Sequence, residues 1–89
     1  MKTVLLMISG KVQGVFFRKS TQENAFALGL SGYAKNLPSG EVEVVIQGLE
    51  NSVEKLAEWC HRGPDSGRVD QVIKKDVENP EKYVGFKVL

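Results

Sequence analysis

The feature that most limits which folds this chain can adopt is an uninterrupted apolar run near its start, Val4 to Ile8. Every second position and every position between is apolar, so a strand formed by this run has two apolar faces. Such a strand belongs in the middle of a sheet rather than at its edge. A chain of 89 residues has room for one hydrophobic core, and we therefore expect a single domain over residues 1–89.

A first helix is predicted over about Phe17–Leu28, where Gly29 ends it. Ser20 with Glu23 could form a capping box and start the helix later. We favour the earlier start because it places four residues that suit burial on one helical face. These are Phe17, Thr21, Ala25 and Leu28.

A second helix is predicted with Asn51 as its N-cap and Gly63 as its terminator. His61 and Arg62 fall in its last turn, where positive charge is favoured. Its apolar stripe has the spacing i, i+3, i+4, i+7 and consists of Val53, Leu56, Ala57 and Cys60. We interpret Cys60 as a core residue, His61 as a helix-end residue, and Trp59 as packing beside the stripe.

The remaining alternating segments predict four further strands. Gly32–Leu37 and Glu41–Gln47 are joined by a turn at Pro38-Ser39-Gly40, and Arg68–Val77 and Tyr83–Leu89 follow. The order is β-α-β-β-α-β with a short extra strand. This order predicts an α+β fold of split βαβ type, with a mainly antiparallel sheet and two helices on one face.

Alternation also predicts which residues of the strand Arg68–Val77 share a face. In Arg68–Val77 it places Val69, Ile73 and Val77 on one face and Val72 on the other.

The connection between the first strand and the first helix, Gly10 to Arg18, is rich in hydrogen-bond donors. Two glycines flank three other residues, so the chain can turn tightly and direct backbone N–H groups into one concavity. The following helix adds its unpaired N–H groups and positive dipole end. Arg18 adds a planar fork of donors suited to a phosphate or carboxylate. An ordinary strand-to-helix connection with a surface arginine has the same composition, so both interpretations stay open here.

Asn36 is the second polar candidate, at the end of the predicted strand Gly32–Leu37. The split βαβ topology can bring this strand end beside the glycine-containing loop. An asparagine amide both accepts and donates hydrogen bonds, so it can hold a water molecule, although it cannot act as a general base.

Together these segments resemble the acylphosphatases. The resemblance spans the whole chain and is carried by the following motifs: Gly10-Lys-Val-Gln-Gly-Val-Phe-Phe-Arg18, Thr21-Gln22, Gly29-Leu30, Gly32-Tyr33-Ala34-Lys35-Asn36 and Gly40-Glu41-Val42-Glu43. It implies a ferredoxin-like sandwich and the hydrolysis of acyl phosphates to carboxylate and inorganic phosphate, without metal or cofactor. It also implies that Arg18 binds the phosphoryl group and Asn36 positions the attacking water. The substrate-binding backbone amides would be those of Gln13, Gly14, Val15 and Phe16.

Other phosphate chemistries do not fit the loop. A P-loop carries Lys and Ser/Thr after its second glycine, where this chain has Val15 and Phe16. A phosphatase that works through a thiolate needs a cysteine inside the loop, and Val12 stands six residues before Arg18. Metal-assisted hydrolysis uses clustered carboxylates, and none falls near this segment. The alternative from another class is a module of the same fold that binds an anion without turnover.

Charge and cysteine content limit the partners. A net charge of +1 is too small to suggest nucleic acid as a partner. Phe16 and Phe17 could suggest base stacking, but the chain lacks the basic stripe that accompanies such aromatic residues in an RNA-binding sheet. No apolar run approaches the roughly 20 residues that cross a bilayer. The single cysteine cannot form an internal disulfide, which suits a reducing compartment. We therefore expect a cytoplasmic protein that binds neither membrane nor nucleic acid. The resemblance implies that its ligands are small acyl phosphates and inorganic phosphate, and we expect it to be a monomer.

Overall fold

The strands and helices follow the predicted order in a computed structural model that describes residues 1–89. They are β1 Lys2–Lys11, α1 Phe17–Ala27, β2 Ser31–Asn36, β3 Val42–Gly48, α2 Glu50–Arg62, β4 Arg68–Asp76 and β5 Phe86–Val88. The strands form one sheet in the order β4-β1-β3-β2-β5. All neighbouring pairs are antiparallel except β2 and β5, which are parallel. The α+β, ferredoxin-like prediction is confirmed.

The hydrophobic core lies between the helices and one face of the sheet. The first strand is flanked by β3 and β4, as its two apolar faces predict. Alternate residues of β1 and β3 are fully buried, and they meet buried residues of α1 and α2. The strand residues are Val4, Leu6, Ile8, Val42, Val44 and Ile46, and the helix residues are Phe17, Ala25, Val53, Leu56, Ala57 and Cys60.

The two helices begin close to their predicted positions, with one correction. The first helix starts at Phe17 rather than at the Ser20 capping box, because its buried face begins there. The second starts at Glu50, and Leu49 in an extended conformation is its N-cap. The predicted N-cap Asn51 is therefore wrong. The strand β3 continues to Gly48, and this short connection leaves only Leu49 between strand and helix.

A bulge in β4 overturns the predicted faces of that strand. Ser9 of β1 pairs with Gln71, but the next residue, Gly10, pairs with Val69, so Asp70 has no partner in β1. One extra residue shifts the alternation by one position. As a result Val69 and Val72 both pack against the core, and Ile73 is 49% exposed.

The last strand is shorter than predicted and spans only Phe86–Val88. The preceding segment instead lies against the sheet face opposite the helices, where Gln47 holds it. The Gln47 Nε2 donates to the Glu81 carbonyl at 2.9 Å, and its Oε1 accepts from the backbone N–H of Tyr83 at 2.9 Å. Backbone groups of 81 and 83 thus bond to a side chain rather than to a neighbouring strand.

Neither helix has the length and the apolar character that a membrane crossing requires.

Candidate active site

The loop between β1 and α1 has an unusual backbone. Gly14 has a φ of 74°, and Phe16, directly before the helix, has a φ of 62°. A non-glycine residue rarely adopts this left-handed conformation. The side chains on either side, Val15 and Phe17, are buried, whereas Phe16 is 74% exposed. The left-handed residue Phe16 thus lies between two side chains that are anchored in the core.

The backbone N–H groups of this loop are free to bind a ligand. From Gln13 through Lys19, no backbone N–H donates a hydrogen bond to an acceptor in the protein. The first turn of α1 has neither a capping side chain nor an acidic residue. Its positive dipole end is therefore not neutralised from within, and a bound anion is favoured there.

Arg18 lies in the first turn of α1, and a distant carbonyl fixes its side chain. Its Nη1 donates to the backbone carbonyl of Leu89 at 2.6 Å, across 71 residues of sequence. Leu89 is itself held next to β2, because its N–H donates to the Ala34 carbonyl at 2.9 Å. The remaining guanidinium donors make no hydrogen bond within the protein. Arg18 is thus oriented by one donor, and its other donors are available to an oxyanion.

Asn36 is the last residue of β2, where it pairs with Val42 of β3. Its side-chain Oδ1 is buried and has no hydrogen-bond partner in the protein. Buried polar atoms in folded proteins nearly always have a partner. An amide oxygen without a protein partner is suited to accept the O–H of a water molecule, and Asn36 is one of the residues that line a cleft.

These elements border one cleft of about 240 Å³. It is lined by Val12, Gly14, Phe16, Phe17, Arg18, Lys19, Asn36 and Val88. The structure therefore brings Arg18 and Asn36 together with two of the four predicted loop residues, Gly14 and Phe16. The other two, Gln13 and Val15, do not line the cleft. The polar side chains at the cleft are the cations Arg18 and Lys19 and the amide Asn36. The two cations suit an anion, and the amide suits a neutral polar molecule such as water.

Two contacts that hold the loop have no signal in the sequence. The Gln13 side chain reaches the β2–β3 turn, where its Nε2 donates to the carbonyls of Leu37 at 2.8 Å and Glu41 at 3.0 Å. The Ser66 hydroxyl donates to the Val15 carbonyl at 2.8 Å. These partners are 24 to 51 residues apart in sequence, so no local pattern could connect them.

The residues assigned to packing lie away from the cleft. Cys60 is fully buried in the core, and burial raises the pKa of its thiol to about 12, which keeps it protonated at neutral pH. The Trp59 ring packs against Phe17 with ring centroids 5.7 Å apart. His61 is exposed in the last turn of α2. No group of three His, Cys, Asp or Glu residues is placed to hold a metal ion.

Comparison with known proteins agrees with the geometry. The sequence profile of the Acylphosphatase family matches residues 4–88. The chain belongs to the acylphosphatase family. It is 52% identical over 87 residues to an acylphosphatase of Rubrobacter xylanophilus, which covers 98% of this chain and 79% of that one.

Two solved acylphosphatases have the same fold. The Coxiella burnetii structure matches with a TM-score of 0.93 at 40% identity, over 99% of this chain and 92% of that one. The Bacillus subtilis structure matches with a TM-score of 0.95 at 28% identity, over 100% and 99% of the two chains. Hydrolysis of acyl phosphates is the function of this family, so the enzymatic interpretation of the chain is confirmed over that of a binding module.

Proposed function

We propose that this acylphosphatase hydrolyses small acyl phosphates by direct attack of a water molecule that Asn36 orients. The observation that carries the proposal is the buried, unpartnered Asn36 Oδ1 at the same cleft as Arg18. The loop and Arg18 offer donors, and Asn36 offers an acceptor. These are the two kinds of group that a phosphoryl dianion and an attacking water respectively require.

The loop amides and Arg18 bind the phosphoryl group. The free N–H groups of the loop and the α1 N-terminus stabilise negative charge on the phosphoryl oxygens, together with the guanidinium. Phosphoryl transfer passes through a loose transition state with charge on these oxygens, so fixed donors act directly on the barrier. The binding assignments are Gln13, Gly14, Val15 and Phe16 through their backbone N–H groups. Among these, support from the cleft is strongest for Gly14 and Phe16, which line it.

The reaction needs no general acid because the leaving group is a carboxylate. Its conjugate acid has a pKa of about 4 to 5, by analogy with Asp and Glu. The water oxygen forms a bond to phosphorus, and the bond between phosphorus and the acyl oxygen breaks with its electron pair on the carboxylate. One water proton stays on the new P–O group, and the other passes to a phosphoryl oxygen. The products are a carboxylate and dihydrogen phosphate.

The experiment that tests this proposal separates hydrolysis from phosphate binding in N36A. Benzoyl phosphate hydrolysis is measured in excess chelator, and inorganic phosphate serves as a competitive inhibitor. We expect kcat to fall about 100-fold or more, as for other groups that act only in the transition state, while the phosphate inhibition constant stays within about threefold.

The matched control is K35A, which removes the exposed neighbour of Asn36 on the same strand. It should keep both the wild-type kcat and the wild-type phosphate inhibition constant. Loss of activity and of phosphate binding together in a folded N36A protein would show that Asn36 binds the phosphoryl group instead. Wild-type turnover in N36A would rule out any role in orienting water.

We also propose that the protein acts as a monomer in the cytoplasm. One of its two edge strands, β4, carries Lys74, Lys75 and the bulge at Asp70, and the other, β5, has only 3 residues; these features discourage pairing with a second chain. Its single cysteine is buried and reduced, as expected in a reducing compartment.

A further inference from the structure

We infer that the Gln13 side chain is a positioning residue that locks the phosphate-binding loop to the strand end carrying Asn36. The two hydrogen bonds from its Nε2, to the carbonyls of Leu37 and Glu41, are the only side-chain contacts of this kind between the loop and the β2–β3 turn. This inference rests on the proposed roles of the loop and of Asn36.

The chemistry of the contact leaves no ambiguity about the donor. Both partners of the Gln13 amide are backbone carbonyl oxygens, which only accept hydrogen bonds. The amide nitrogen must therefore face them, and its two N–H groups match two acceptors. No other common side chain of this length offers two donors from one uncharged atom.

The contact meets the β2–β3 turn at the point where the turn closes. The Leu37 N–H donates to the Glu41 carbonyl at 2.9 Å, and the Gly40 N–H donates to the Leu37 carbonyl at 3.0 Å. Gln13 bonds to both of these carbonyls, while the intervening residues 38–40 are exposed. Leu37 directly follows Asn36 in the chain. One side chain from the loop therefore sets the position of the residue adjacent to Asn36.

The loop has separate anchors for its own fold. The side chains of Val12 and Val15 are buried at 1% and 6% exposure, and Ser66 holds the Val15 carbonyl. Removal of the Gln13 contacts should therefore leave the phosphate site largely intact. What changes is the distance between the bound phosphorus and the water held by Asn36. Displacements of about 1 Å between reacting groups can lower rates by about 100-fold.

The first test is Q13M, which keeps the length of the side chain and removes both donors. We expect kcat for benzoyl phosphate to fall about 10- to 100-fold, with the inorganic phosphate inhibition constant within about threefold of wild type. The matched control is Q47M. Gln47 also donates to two acceptors, the Thr3 hydroxyl at 3.0 Å and the Glu81 carbonyl, but on the sheet face opposite the helices. Q47M should lower the melting temperature and keep the wild-type kcat.

The second test is Q13E, which also covers the case in which Q13M does not fold. An ionised carboxylate facing two carbonyls repels them, whereas a protonated carboxyl group can donate to one. The ratio of the Q13E kcat to the wild-type kcat should therefore rise as the pH falls from 7 towards the carboxyl pKa of about 4.3. A ratio close to one at every pH would overturn the inference.

A double-mutant cycle shows whether Gln13 acts through Asn36. If it does, Q13M combined with N36A should be no slower than N36A alone, because the group being positioned is already absent. Multiplication of the two single effects, or equal loss of kcat and phosphate affinity in folded Q13M, would overturn the inference. Failure of the proposed function can be told apart from failure of this inference. It would appear as a wild-type kcat in the N36A protein, whatever the kcat of the Q13M protein.

Discussion

The two helices of this protein differ most at their N-termini. Before α1 stands Phe16 in a left-handed conformation, and the first turn contains Arg18 and Lys19 without any acidic residue. Before α2 stands Leu49 in an ordinary extended conformation, and Glu50 occupies the first turn. Because a helix N-terminus carries partial positive charge, Glu50 stabilises α2 and the two cations of α1 do not.

The two helices also differ in their C-terminal turns and in the ion pairs on their exposed faces. The last turn of α2 contains His61 and Arg62, which suit its negative dipole end, whereas the last turn of α1 has no basic residue. Glu54 of α2 contacts Lys74 of β4 at 2.9 Å and Lys2 of β1 at 3.3 Å. Charges in α2 therefore support its own fold. The N-terminus of α1 lacks such internal compensation, and under the proposed function the phosphoryl group of the substrate supplies the negative charge there.

The largest expected effect comes from removing the cation at the α1 N-terminus. In R18A, kcat/KM for benzoyl phosphate should fall about 1,000-fold or more, and inorganic phosphate should no longer inhibit at millimolar concentration, because the donors that face the phosphoryl oxygens are lost. Steady-state kinetics with phosphate as inhibitor measures both quantities.

The control for R18A lies at the opposite end of the other helix. Arg62 in the last turn of α2 is exposed, and R62A should leave both kinetic quantities unchanged. Normal phosphate inhibition of the R18A enzyme would contradict the assignment of α1 as the anion-binding helix.

A smaller effect is expected from the backbone before each helix. A left-handed conformation is unfavourable for residues with a Cβ and easy for glycine, by about 1 kcal/mol. F16G should therefore be more stable to urea than F16A by about 1 kcal/mol, and the 74% exposure of Phe16 means that both variants lose little packing.

The same pair at the α2 N-cap should differ less. Leu49 has a φ of −63°, which alanine adopts without strain, so only the ordinary preference of an N-cap for glycine over alanine separates L49G from L49A. Their difference should be smaller than that between F16G and F16A. Equal stability of F16G and F16A would mean that the left-handed conformation at this position carries no strain.

The smallest effect should follow from exchanging the charge patterns of the two N-termini. K19E places a carboxylate in the first turn of α1, and it should raise the free energy of unfolding by about 0.5 kcal/mol while weakening phosphate inhibition, since Lys19 lines the cleft. E50Q should lower the free energy of unfolding by a similar amount without any change in inhibition. Urea denaturation at low salt measures the stabilities, and both changes should shrink in 1 M salt.

A K19E protein that is less stable than wild type and binds phosphate equally well would contradict this account. It would show that the α1 N-terminus neither lacks a stabilising anion nor faces the ligand.

The limits of sequence-based prediction are clearest in β4 and around Phe16. Alternation alone assigned Val69 and Val72 to opposite faces, and one unpaired residue, Asp70, reversed that assignment. The left-handed conformation of Phe16 likewise has no local signal, since the residue carries a Cβ and the burial of its neighbours depends on where the core lies. Neither feature leaves a periodic trace, because each is a single-residue departure from a regular pattern.

The sequence by itself determined the order of the elements, most of the buried positions of both helices, the family and the donor-rich character of the Gly10–Arg18 loop, although the predicted core residue Leu28 is the half-buried C-cap of α1. These properties follow from short-range periodicity, glycine placement and motifs, which are local. The topology and the family resemblance also predicted that Arg18 and Asn36 lie at one site. Only the tertiary structure decided that the Leu89 carbonyl orients Arg18, that Gln13 reaches the β2–β3 turn and that Ser66 holds the Val15 carbonyl. Such contacts join residues up to 71 positions apart, and they exist only once every element has packed against the sheet.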